Sequence, residues 1–195
     1  MSDPTVGDRR TLKRLARYLV GELKYQYRCH EVDGYSDSDW AGCKATGKST
    51  SRGAVVLGSH NLKTWSTTQK SVTLSSAEAE LVAAVKMSAE LIGIAQLAEE
   101  WGMSLQGKVH IDSAAAIGVI GRRGNGKLRH VRVGSLWIQE SVQNGELGIQ
   151  KVPGEWNPAD LLTKGLSQAK TERFVGMASQ KFADGRAETS LRLKG

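Results

Sequence analysis

The stretch VTLSSAEAELVAA at residues 72–84 constrains this chain more than any other. It opens as a strand-like run, changes period at Leu74-Ser75-Ser76 and continues as a helix. Ser75 followed three residues later by Glu78 is a capping box: the serine hydroxyl takes the amide of residue 78, and the glutamate reaches back to the cap amide. Leu81, Ala84, Val85, Leu91, Ile92, Ala95 and Ala98 then recur at helical spacing, which commits one face to a core. Glu80 lies at the margin of that face. Such an acid either points to solvent or is held there for chemistry, and the rest of the chain decides which.

Before this helix, residues 34–40 (GYSDSDW) alternate between glycines, residues 54–58 (AVVLG) form an apolar run, and a Ser59-His60-Asn61 turn leads into residues 62–66. These read as three antiparallel strands in a meander. After it come a short strand at 108–111 and a helix at 114–120 capped by Asp112-Ser113. A glycine-rich basic loop at 121–132, a helix at 133–144 and a strand at 146–152 follow. Asn157-Pro158, with Asn as cap and Pro at the first helical position, opens a helix over 159–166. The order predicts a mixed α/β fold: a five-stranded mixed sheet, its first three strands antiparallel, flanked by helices. Upstream, residues 11–20 (TLKRLARYLV) read as a basic amphipathic helix and 23–29 as extended; from Ser167 onward the periodicity is weak, as in a marginal helix and tail. The expected divisions are 1–32, 33–168 and 169–195.

Charge narrows the partner. The 195 residues carry a net charge of +7 and a pI near 9.5, which favours an anionic partner, nucleic acid first. Cys29 and Cys43 are too few for a disulfide framework and lack the companions of a zinc site, so a reducing intracellular setting is expected. No signal peptide is read at the start, and the apolar region 81–98 is interrupted by Lys86, Glu90 and Gln96, so no membrane association is expected.

Four acids occupy comparable places in different elements: Asp37 within the first strand, Glu80 in the first turns of the long helix, Asp112 at the end of the fourth strand and Asp160 in the first turn of the last helix. Acids at strand ends and helix starts can converge on one edge of a sheet. Hard divalent cations such as Mg²⁺ take oxygen ligands and bridge carboxylates to phosphates, and a pair of them supports in-line phosphoryl displacement. Without cations the four would repel one another. Each acid also has a plain alternative: Asp112 and Asp160 as complements to helix N-termini, and Asp39 in place of Asp37, because both lie on one face of the strand. Glu78 and Glu80 are about 200° apart around the helix, so only one faces the sheet; the capping role of Glu78 favours Glu80.

YSDSDWAG at 35–42, STS at 49–51, WS at 65–66, LSSAEAELVA at 74–83, HIDSAAAI at 110–117 and VPGEWNPADLLTK at 152–164 resemble, in order, the ribonuclease H domain of copia-type LTR-retrotransposon Pol polyproteins. The upstream TLKRLARYLVG resembles the end of the reverse transcriptase region of such polyproteins. The resemblance implies a ribonuclease H-like fold, with Asp37, Glu80, Asp112 and Asp160 as catalytic and metal-binding acids. It further implies two Mg²⁺ (Mn²⁺ possible) as cofactors and hydrolysis of the RNA strand of RNA–DNA hybrids during reverse transcription. The implied partners are the hybrid and the reverse transcriptase region, with no small-molecule cofactor, and the implied setting is cytoplasmic, in retrotransposon particles. One departure stands out: many ribonucleases H carry a histidine shortly before the last acid, and residues 153–160 contain none. No polymerase motif of paired aspartates after a tyrosine is seen.

Between residues 41 and 77 there are five basic residues and no acid. Lys48, Ser49, Thr50, Ser51, Arg52 and Gln69 from this run are expected on a face that reads phosphates and 2′-hydroxyls. Arg122, Arg123, Lys127, Arg129 and Arg132 form a second basic cluster that would clamp a duplex, and His130 in the same loop is read as structural or hybrid-facing. The tryptophans are expected in packing roles, with Trp156 held open. The alternative to an active nuclease is a catalytically inactive hybrid-binding or tethering domain of the same fold; another nuclease or strand-transfer enzyme of that general fold comes third.

Overall fold

The computed structural model describes residues 30–124, 137–162 and 167–177. Expectations for residues 1–29, the 125–136 stretch that holds Lys127, Arg129, His130 and Arg132, residues 163–166 and the tail from 178 lie outside the described residues.

Three strands open the described chain: β1 (Glu31–Asp39), β2 (Thr50–Leu57) and β3 (His60–Thr68). The helix α1 (Ser76–Glu100) follows, then β4 (Gln106–Ile111), α2 (Ala114–Ile120), α3 (Trp137–Gln143) and β5 (Leu147–Lys151). Two 3₁₀ turns, Gly154–Trp156 and Pro158–Leu162, lead to α4 (Gln168–Met177). The strands form one five-stranded sheet in the order β3-β2-β1-β4-β5. β1, β2 and β3 are antiparallel neighbours, while β4 pairs parallel with both β1 and β5. This is the mixed sheet expected of a ribonuclease H-like fold. β1 is central, and the parallel β1–β4 pair puts the C-terminal ends of both strands side by side.

The long helix lies across the middle of this sheet. Gly34 makes that approach possible: a Cβ there would meet the Met87 sulfur and Leu91 at 2.9 Å. Leu81, Ala84, Met87 and Leu91 are fully buried with Val32, Val55, Val109 and Ile111. Each of the larger side chains contributes about 1.5–3 kcal/mol by leaving water. The contact line runs through Ala83 and Met87, so Val85, Ile92 and Ala95 are only half-buried, contrary to the stripe read from spacing. By length and composition α1 is also apolar enough to cross a membrane, but here it is the core helix of the sheet.

Several boundaries differ from the sequence reading. β1 begins at Glu31, inside the expected upstream division, because its first residues pair with Gln106 and Gly107 of β4. Ser75 caps α1 by accepting from the Glu78 amide at 3.2 Å, and Glu78 Oε2 accepts from Leu74 N at 2.8 Å. The last predicted helix is a 3₁₀ turn over Pro158–Leu162. α4 starts at Gln168 and buries Phe174 and Val175, so part of the expected tail belongs to the packed unit. Trp40, Trp101 and Trp156 are 50%, 64% and 48% exposed, not core. Trp40 instead donates to Thr73 O, and Trp156 lies under the Arg173 guanidinium at 3.7 Å.

Candidate metal centre

Three of the four expected acids come together. Asp37 near the end of β1, Glu80 in the second turn of α1 and Asp112 just after β4 offer carboxylate oxygens that all lie within 4.8 Å of one another. The fold explains the convergence: parallel β1 and β4 bring Asp37 and Asp112 to one edge, and the serine cap fixes where α1 starts above it. Asp37 and Glu80 are buried, Asp112 half-buried.

Glu80 is the most constrained. Its Oε1 accepts from the Ser38 amide at 3.1 Å and from the Ser38 hydroxyl at 2.8 Å. Its Oε2 is buried without a hydrogen-bond partner. Burial, then the charge of Asp37 and that of Asp112, push the Glu80 carboxyl up to about 8, against the two Ser38 hydrogen bonds. A buried acid with an unsatisfied oxygen, facing two further carboxylates, is a poor arrangement by itself and a good one around a hard cation. The residues therefore fit a divalent ion. The open choices resolve at the same place: Asp37, not Asp39, joins the cluster, and Glu80, not Glu78, faces it.

Asp160 is not among these three, whose oxygens lie within 4.8 Å of one another. It sits half-buried in the 3₁₀ turn, and its charge acts on Arg52. Asn157 anchors that turn: fully buried, it donates from Nδ2 to Ser36 O at 2.9 Å and accepts from Ala159 N at 3.1 Å. Gly154 passes close to Asp112, such that a Cβ would lie 3.2 Å from Asp112 Oδ2. Sequence reasoning missed Ser38 and misjudged Asn157, whose Asn-Pro signal reads as a cap although half of its amide is spent on the central strand.

The expected nucleic-acid face is largely turned inward. Ser49, Ser51, Arg52 and Gln69 are buried. Ser49 Oγ accepts from Ala41 N and bonds Thr73 Oγ1, while Gln69 Nε2 donates to Ser51 Oγ and to Ala79 O. These groups tie β2, the end of β3 and the start of α1 together. Arg52 Nη1 is 3.6 Å from Asp37 Oδ2, and Nη2 is 3.6 Å from Asp39 Oδ2. Lys48, Thr50 and Arg122 are half-buried, and Arg123 is exposed with its Nε donating to Gln143.

No family model matches the chain. Among curated proteins it is similar to the retrovirus-related Pol polyprotein from transposon RE1 of Arabidopsis thaliana, 31% identical over 183 residues and 90% of this chain. It is likewise similar to that from transposon TNT 1-94 of Nicotiana tabacum, 34% identical over 154 residues and 76% of this chain. It spans 12% of the length of each. Among solved structures it is similar to LC11-RNase H1 in complex with RNA/DNA hybrid, with 16% identity, a TM-score of 0.45 and coverage of 67% of this chain and 92% of that one. An overlap of that size adds nothing to the strand order already described. On the strength of these relatives, the chain belongs to the family of retrovirus-related Pol polyproteins from transposons.

Proposed function

We propose that this domain is a divalent-metal-dependent endonuclease that hydrolyses the RNA strand of RNA–DNA hybrids during retrotransposon reverse transcription. The observation that carries the reading is the convergence of Asp37, Glu80 and Asp112, with Glu80 Oε2 buried and unsatisfied. A pure binding domain has no use for three acids packed together under a phosphate groove, where they repel each other and the substrate alike. Bound Mg²⁺ or Mn²⁺ supplies an activated water and charge stabilisation at the leaving oxygen. In this reading Asp37, Glu80 and Asp112 hold the cation. Ser38 fixes the rotamer of Glu80 through its two hydrogen bonds, and Asn157 locks the Asp160 turn to β1. The reverse transcriptase region of the same polyprotein is the proposed partner, and an intracellular retrotransposon particle the proposed setting.

The test is cleavage of an end-labelled RNA–DNA hybrid with Mg²⁺, beside duplex DNA, duplex RNA and an EDTA control. Cutting of the hybrid's RNA strand alone, lost with EDTA and in Asp37→Asn, is expected. Tight hybrid binding without cutting, in Mg²⁺ and in Mn²⁺, would leave a tethering domain.

A further inference from the structure

The carboxylate site is divided by Asp37. On one side stand Glu80 and Asp112, which complete the three-acid cluster. On the other stands Arg52, directly opposite Asp37 in the β1–β2 register. Its guanidinium bridges Asp37 and Asp39, each at 3.6 Å, with a side chain only 6% exposed. The charge of Asp160 acts on the same guanidinium, and the Pro158–Leu162 turn packs against β2 and β1. The turn that carries Asp160 thus meets the sheet at the strand that carries Arg52. A guanidinium is always charged, planar and able to serve several carboxylates at once, and burying one is costly unless it is so paired.

We propose that Arg52 takes the place of a second divalent ion. The chain binds one ion, at Asp37, Glu80 and Asp112, while the arginine balances the charge between Asp37, Asp39 and Asp160. The proposal rests on the metal reading above and departs from the two-ion stoichiometry that the family resemblance implies. An ion seated between Asp37 and Asp160 would face the guanidinium at close range, in a buried place where their repulsion is weakly screened. For a second ion to enter, Arg52 would have to leave both carboxylates that hold it.

The experiment counts bound Mn²⁺ by calorimetry and by the spin-resonance signal of the free ion. It uses the whole chain, alone and bound to a hybrid whose RNA strand is 2′-O-methylated and resists cutting. Wild type is expected to saturate at one equivalent in both states. Arg52→Gln and Arg52→Met, each where it folds, should gain with the hybrid a second equivalent that wild type lacks. A second equivalent in wild type overturns the proposal while sparing the metal reading, and so does a folded variant that stays at one. No binding in wild type removes both.

Discussion

Glu80 concentrates the chemistry of this chain. With its carboxyl pushed up to about 8 from an ordinary 4.5, the metal-free folded state holds a proton that the unfolded state releases. Between pH 4.5 and about 8 the folded state therefore binds more protons, and stability falls as pH rises through that window. Melting curves in EDTA should show the decline, and Mg²⁺ should reverse it at pH 8. Glu80→Gln should flatten the profile and melt several degrees above wild type at pH 8 without metal. A wild-type profile that is flat from pH 5 to 8 contradicts the burial argument. Asp112→Asn, relieving the same repulsion, should keep the fold, raise the metal-free melting temperature and abolish hybrid cleavage in the labelled-strand assay. Part of this was legible in the sequence: the angular separation of Glu78 and Glu80 and the cap at Ser75 point to Glu80 correctly. Asp37 against Asp39 was not, because period two puts both on one face. Arg52 reaches both; what separates them is that Asp37 also faces Glu80 and Asp112, whereas the Asp39 side chain is 42% exposed.

The elements that carry these residues differ in how plainly the chain announces them. The interval Ala114–Ile120 and its Ser113 cap were readable to the residue, since Ser113 accepts from Ala116 N as a local signal demands. The Asn157-Pro158 signal was readable only as a start. The turn it opens is 3₁₀, and Asn157 faces a strand 121 residues away in sequence, a contact that no local pattern encodes. Asn157→Ala strands the Ser36 carbonyl and the Ala159 amide, at a cost of about 2–4 kcal/mol. Denaturant unfolding should register that loss, and cleavage should fall with it while Mn²⁺ still binds at the three acids. The hydroxyl-rich run at 49–51 and Gln69 poses a different difficulty. Serines and glutamines that read a nucleic acid and those that brace a buried corner have the same composition. Only burial distinguishes them, and here the corner holds them.

At the scale of the molecule, the order of strands and helices was enough to predict the sheet, because three consecutive antiparallel strands and later crossovers leave few arrangements of five. What it could not supply was the distance between α1 and the sheet, which Gly34 sets. Gly34→Ala inserts a methyl against Met87 and Leu91, and overpacking of this kind costs about 1–3 kcal/mol. Because it lifts the helix that carries Glu80, hybrid cleavage should drop by more than the lost stability explains, which a comparison with an equally destabilised Phe174→Leu variant would reveal. The central claim is that the three acids form a cation seat. It is tested most directly by anomalous diffraction from crystals soaked in Mn²⁺. The expected result is a manganese peak ligated by Asp37, Glu80 and Asp112, with Glu80 Oε2 among the ligand atoms. A peak elsewhere, or none at millimolar Mn²⁺ with the three carboxylates still in place, would contradict it.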